Sequence, residues 1–137
     1  MPVINCIREH YGKGVRIDFV CLSKFKGAAE LLCGVDEIHL VEKSTSEITV
    51  ELQQLNFHYF IDLQGSVRSR SLSKALGILT FTIDKQSLPR FALTLGLRKN
   101  PVLHFVDRAL KLLETFNIRK PKQSLWGSIN TTEVKVP

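Results

Sequence analysis

The stretch His58-Tyr59-Phe60-Ile61-Asp62-Leu63-Gln64-Gly65-Ser66-Val67-Arg68-Ser69 decides the fold. Its first six residues are mostly aromatic, β-branched or apolar, which is the make-up of a strand. Gln64-Gly65-Ser66 reads as a turn, in which Gly65 permits a tight backbone and Ser66 can cap a helix running to about Leu76. A strand that feeds straight into a helix is half of a crossover unit.

The same alternation extends in both directions. Upstream, Val3, Ile4, Ile7 and Tyr11 recur at helical spacing, so Pro2–Tyr11 is expected to be a helix that stops at Gly12. Val15 to Val20 alternates like a strand. Ser23 can cap a helix through Leu32, with Gly34 as its end, and Glu37–Val41 is a short strand. Ser44 or Ser46 opens a helix to about Leu55, with Ile48, Leu52 and Leu55 on one face. Downstream, Gly77 breaks the chain and Ile78 to Ile83 makes a fourth strand. A helix around Leu88 to Leu97 is compatible with Pro89 only in its first turn. Pro101 opens a further helix to Phe116, striped by Val102, Val106, Ala109, Leu113 and Phe116, with His104, Arg108 and Lys111 on the opposite side. From Arg119, with Pro121, Gly127 and Pro137, the chain reads as a linker or tail.

Strands alternating with helices over short connections pair in parallel through right-handed crossovers. The expected class is therefore α/β, a Rossmann-like open parallel sheet with flanking helices. Ligands of such sheets bind beyond the carboxyl ends of the strands, here after Val20, after Val41 and above all after Leu63.

The totals agree with one globular domain: 137 residues, 44% hydrophobic and 23% charged. Cys6, Cys21 and Cys33 are odd in number, widely spaced and set among apolar residues, so they are expected as reduced thiols in or near the core. Combined with His10, His39, His58 or His104 they show no metal-ligand spacing, and no metal site is expected. The first residues lack the basic leader and apolar run of a signal peptide, and the longest apolar runs fall far short of the roughly 20 residues that cross a bilayer. A cytoplasmic protein is the expectation.

Charge is uneven. Met1 to Phe57 carries 6 Lys and Arg against 8 Asp and Glu, while the remainder carries 13 against 5, within a total of +6. A basic half fits an anionic partner such as phosphate, nucleic acid or an acidic membrane surface, though a solvated face that aids solubility accounts for the charge equally well. Nucleic acid is the weaker fit, because the aromatic residues fall mostly on apolar faces and do not interleave with Arg and Lys as stacking platforms.

Chemistry concentrates after the third strand. Free N–H groups at the start of the helix, with Gly65 and the Ser66 cap, make a natural anion site, and Arg68 adds a forked, permanent cation. A capped helix with a solvated arginine fits the same spacing. Asp62 can be a base, an orienting group or a satisfied strand-end carboxylate, and its position favours the last. His104 and Arg108, four apart, can share an anion or form an ordinary polar face. Gly12-Lys13-Gly14 is no dinucleotide fingerprint because it precedes its strand, and neither a Walker loop nor a nucleophile elbow is present.

Ile61-Asp62-Leu63-Gln64 followed by Gly65-Ser66-Val67-Arg68-Ser69 resembles the strand–turn motif of the ADP-heptose:lipopolysaccharide heptosyltransferases. Other pieces fall in that family's order. Pro2-Val3-Ile4 through Ile7 resembles its first helix, Val15 to Val20 its second strand, and Gly34-Val35-Asp36-Glu37-Ile38 the approach to its third. His104-Phe105-Val106-Asp107-Arg108 resembles the His-x-Val-acidic-Arg element of a later helix. The similarity covers Met1 to Ile118.

The resemblance implies a partial amino-terminal, acceptor-side half of a GT-B glycosyltransferase over residues 1–118, with 119–137 as linker or tail. It implies transfer of heptose or a related sugar from a nucleotide-sugar donor such as ADP-heptose, with no other cofactor. The implied partner is the anionic lipopolysaccharide inner core, met peripherally at the cytoplasmic face of the inner membrane. Acceptor binding falls on Gln64, Gly65, Ser66, Arg68 and Arg90, with Asp62, His104 and Arg108 in support. The family's opening strand and its Gly-Asp loop, which carries its catalytic base, have no counterpart, so no catalytic residue is assigned. That strand would lie between the strands at Val15 and His58, whose facing edges its absence would leave without a hydrogen-bonded ladder. The donor domain is also without a counterpart, so the chain is expected to be inactive alone. The alternative is a small basic α/β module that binds an anionic ligand or nucleic acid.

Overall fold

A computed structural model describes residues 2–85, 94–95 and 104–118. The expected helix around Leu88 to Leu97 (apart from Thr94 and Leu95), Arg90, the Pro101 opening of the later helix and the tail from Arg119 lie outside the described residues.

The chain alternates helix and strand in the order α1 (Pro2–Tyr11), β1 (Asp18–Leu22), α2 (Lys26–Glu30), β2 (Glu37–Val41), α3 (Ser46–Gln54), β3 (Tyr59–Asp62), α4 (Val67–Leu76), β4 (Leu79–Thr82) and α5 (Phe105–Leu113). Short 3-10 turns occupy Gly12–Gly14, Ser23–Phe25 and Glu114–Phe116. The class is mixed α/β, as the alternation implies. Glycines punctuate it where a positive φ is required: Gly12 (60°) follows α1 and Gly77 (65°) caps α4.

Both strand pairs among the described residues are parallel. Asp18 lies opposite Glu37 and Leu22 opposite Val41 in one pair, Tyr59 opposite Leu79 and Asp62 opposite Thr82 in the other. The described strands form two sheets of two strands, β1–β2 and β3–β4, and β1 is not hydrogen-bonded to β3. Both pairs nevertheless lie under one helical layer. Ile48 and Leu52 of α3 and Leu72 of α4 bury themselves with Val41, packed by Val20 and Leu22 of β1 and Phe60 of β3. The alternate side chains of β3 point the other way, where Ile61 and Leu63 pack on Val3 and Cys6 of α1 and on Ala109, Leu110 and Leu113 of α5. A second helical layer therefore covers the opposite face of β3.

Several boundaries differ from the sequence reading for local reasons. β1 starts at Asp18 instead of Val15, because pairing begins only where β2 arrives: Asp36 N–H donates to Ile17 C=O at 2.8 Å. The helix expected over Ser23 to Leu32 is a 3-10 turn plus the single α-helical turn Lys26–Glu30, and Ser23 makes no cap. Gly27 weakens its middle and Ala29 is its one buried side chain, so little holds a longer helix. α3 opens at Ser46, as expected, and Ser44 Oγ accepts the Ser46 N–H at 3.3 Å. Glu47 serves that end, its carboxylate accepting the N–H groups of Glu42, Lys43 and Ser44 at 3.1, 3.2 and 3.0 Å.

Candidate functional site

The turn between β3 and α4 is built around Asp62, which is 2% exposed. One carboxylate oxygen accepts the N–H groups of Gln64 (2.9 Å) and Gly65 (2.7 Å), and the other accepts the Ser69 hydroxyl (2.8 Å). Asp62 is thus a satisfied strand-end carboxylate, consumed in holding the loop, and presents no free oxygen pair as a base. Ser66 and Ser69 form a reciprocal capping box: Ser66 Oγ accepts Ser69 N–H and Ser69 Oγ accepts Ser66 N–H. Together these bonds fix the first turn of α4, with its N–H groups at the carboxyl end of the strands.

Gly65 is buried with φ at 58°, and a Cβ built there would stand 3.0 Å from Lys85 Cε and 3.4 Å from Thr82 Cγ2. Lys85 therefore lies across the turn. It was not singled out from the sequence, although it follows the end of β4 by three residues, where the strand-end rule directs attention. Gln64, Arg68 and Lys85 are exposed, and Arg68 and Lys85 pair with no carboxylate among the described residues.

Arg108 and His104 do not converge as a pair. His104 is exposed and caps its own helix, its Nδ1 accepting Val106 N–H at 3.3 Å. Arg108 points inward instead of sharing an outer polar face: it is 7% exposed, its Nη1 donates to Asp84 C=O at 2.7 Å, and its buried Nε has no partner. Asp84 follows Ile83, whose N–H donates to Asp62 C=O. The backbone thus ties the Arg108 contact to the strand end on which the Asp62 turn is built. Arg90 lies outside the described residues.

A second constellation was not singled out from the sequence. The buried His39 of β2 stands between Asp18 Oδ2 (2.7 Å from Nε2) and Glu51 Oε1 (3.0 Å from Nδ1). Carboxylates only accept, so both contacts are hydrogen bonds when both ring nitrogens carry a proton. Asp18, Glu37 and His39 bring ligand atoms within 4.8 Å of one another, a grouping that can hold a metal ion. The Arg16 guanidinium already serves it, with Nε and Nη2 on Asp18 at 2.9 Å each and Nη2 also on Glu37. Burial would raise the Asp18 carboxyl, and the bonds from Arg16 and His39 overcome that and hold it below the usual carboxylate range. This network sits at the amino ends of β1 and β2, away from the strand ends that the Asp62 turn occupies. Its members are 12 and 21 residues apart along the chain, which is why spacing did not reveal it.

Cys6 is buried, and its thiol is pushed up by desolvation and by Glu9. Among the described residues no helix is long and apolar enough to cross a membrane. No protein-family model, curated protein or solved structure matches the chain.

Proposed function

We propose that the turn between β3 and α4 holds an anionic group of a sugar acceptor, and that the chain is the acceptor-side part of a GT-B glycosyltransferase of the heptosyltransferase type. The observation that supports this reading is the excess of unneutralised cation at one strand end. Arg68 projects from the first turn of α4, Lys85 crosses Gly65, and Arg108 is buried with an orphaned Nε. A buried guanidinium bonded to one carbonyl is costly to keep unless something else uses the charge. Phosphate and carboxylate suit the arrangement, since helix N–H groups and a forked guanidinium both match their oxygens.

On this reading the residues bind and orient the acceptor and perform no proton transfer. The acceptor hydroxyl attacks the anomeric carbon of a nucleotide sugar, the nucleoside diphosphate leaves, and a base outside these residues takes the hydroxyl proton. Asp62 is excluded from that task by its three hydrogen bonds.

The test is a titration of the ¹⁵N-labelled chain with deacylated, phosphorylated inner-core oligosaccharide, in parallel with its dephosphorylated form. Saturable shifts at the Gln64, Gly65 and Ser66 amides, lost on dephosphorylation and weakened about tenfold or more in Arg68→Ala, are expected for loss of a charge-assisted pair. Equal binding of the two oligosaccharides, or an Arg68→Ala variant that binds like the parent, removes the assignment. Tighter, steeply salt-dependent binding of random oligonucleotides would favour the nucleic-acid module instead.

A further inference from the structure

Tyr59 and Leu79 lie opposite each other at the amino ends of β3 and β4, and both are exposed, at 56% and 58%. Side chains opposite each other, and those two residues further on, share a sheet face. Tyr59 and Leu79 therefore sit on the same face as Ile61 and Phe81. Toward the carboxyl ends that face is covered, with Ile61, Leu63 and Ile83 packed among the side chains of α1 and α5. At the amino ends three rings meet instead. Phe116 lies 5.4 Å from Tyr59 and 4.5 Å from Phe81, both edge to face, and Tyr59 lies 6.2 Å from Phe81. With Leu79 they form an aromatic shelf whose outer side is open. Parallel sheets are ordinarily covered on both faces, and a contiguous open apolar patch is the usual mark of a docking surface.

The course of α5 indicates what reaches the shelf. The helix starts near the carboxyl ends of the strands, where Arg108 donates to Asp84 C=O. The 3-10 turn that follows it finishes at the amino ends, where Phe116 meets Tyr59. The connection from Lys85 to His104 therefore begins and ends on the far side from the shelf. The tail beyond Ile118 departs beside it, since Ile118 is buried in the cluster that Phe116 packs against. That tail opens with Arg119, Lys120 and Lys122 and then carries Leu125, Trp126 and Ile129, of which Trp126 is the chain's single tryptophan.

We infer that the shelf of Tyr59, Leu79, Phe81 and Phe116 is the seat of the chain's own tail, with Leu125 and Trp126 laid against the rings. Tryptophan brings a large apolar face and suits the edge-to-face geometry that these rings already use. The tether makes the tail the favoured occupant: a segment joined to the shelf by a few residues meets it at an effective concentration on the order of millimolar. A separate protein would need roughly 1,000 Å² or more of interface, which a surface four side chains wide does not offer. The shelf lies at the opposite strand ends from the Asp62 turn, so the inference is independent of the proposed acceptor site.

Trp126 fluorescence in the intact chain is the test. Its emission should lie to the blue of N-acetyltryptophanamide, and acrylamide should quench it about threefold less, as expected if the tethered tail is seated about two-thirds of the time or more. Tyr59→Ser and Leu79→Ser replace exposed side chains and should leave the fold intact by circular dichroism. Each should move the emission to the red and restore quenching, whereas Val50→Ser, at a 62% exposed position on α3, should change neither. Four results overturn the inference. Trp126 that emits and is quenched like the free amide in the parent means that the tail is not seated. Protection that survives both shelf variants places the tail elsewhere. Val50→Ser acting like the shelf variants makes the change a general loosening, and a blue shift that grows with protein concentration gives the shelf to the tail of a second copy.

Discussion

Replacing Asp62 tests how the site is held. The carboxylate is buried and accepts three hydrogen bonds, two from backbone N–H groups and one from Ser69. Asp62→Ala removes the acceptor of those donors. Gln64 is exposed, so its N–H regains water at small cost, and the Ser69 hydroxyl can turn to Ser66 C=O at 3.0 Å, whereas the buried Gly65 N–H is stranded. Each hydrogen bond to a charged group contributes about 1.5–3 kcal/mol, and a stranded buried donor forfeits most of that. Counting Gly65 alone, the expected loss is about 1.5–3 kcal/mol, a substantial share of the roughly 5–15 kcal/mol by which domains are stable. Asp62→Asn keeps an acceptor oxygen for the two backbone N–H groups and asks only that the Ser69 hydroxyl turn to accept, a cost of about 1 kcal/mol. Urea unfolding followed by far-ultraviolet circular dichroism gives both values from the midpoint at unchanged slope. An alanine variant within about 1 kcal/mol of the parent, or an asparagine variant as unstable as the alanine one, would refute the account of Asp62 as the anchor of this turn.

Two further outcomes follow from the same geometry. Gly65→Ala should destabilise by about 1–3 kcal/mol, since alanine at a φ of 58° is strained and its Cβ would press on Lys85 Cε at 3.0 Å. Urea midpoints measure it, and a neutral substitution would show that the turn is not held in this conformation. Asp18 titrates below its ordinary value in the folded chain, so its contribution is fully present above the unfolded pKa of about 3.9 and is lost as pH falls through the lower folded value. Urea midpoints between pH 6 and 2 should therefore fall with acid in the parent, and the Asp18→Asn variant should lose part of that slope; an identical slope in the two proteins would contradict the assignment.

The sequence made the elements legible wherever a local signal was strong. The strand–turn–helix at Asp62 to Leu76 follows directly from an apolar strand, a positive-φ glycine and a serine cap, and α1 from its helical spacing and Gly12. The reading failed where weak local signals stood alone. Ser23 looked like a cap, yet Gly27 and a single buried alanine leave α2 with one turn. At α3 the serines do open the helix, at Ser46 with Ser44 Oγ on its N–H, while the backward reach of Glu47 over the N–H groups of Glu42, Lys43 and Ser44 has no signal in the sequence. At the site, Gln64, Gly65, Ser66 and Arg68 come together because they are neighbours in sequence. The placing of Lys85 over Gly65, the inward turn of Arg108 and the Asp18–His39–Glu51 chain depend on contacts across 12 to 24 residues, for which spacing carries no signal.

The two charged regions of the molecule differ in kind. At the amino ends of β1 and β2 a set of opposite charges is paired. Arg16 spans Asp18 and Glu37, His39 lies between two carboxylates, and Arg8 joins Asp36 while donating to Gly34 C=O at 2.8 Å. Such a network is complete, and removing any member would leave an uncompensated charge behind. At the carboxyl ends of β3 and β4 the one buried acid, Asp62, is spent on N–H and O–H donors. Arg68 and Lys85 find no carboxylate among the described residues, and Arg108 keeps a buried N–H without an acceptor. Arg68 and Lys85 are exposed and keep their water, and only Arg108 is held out of it. An anion arriving there would meet donors already in position, and its binding would add to stability by mass action. Ligand binding that raises the urea midpoint in the parent but not in Arg68→Ala therefore separates a site from a merely basic surface.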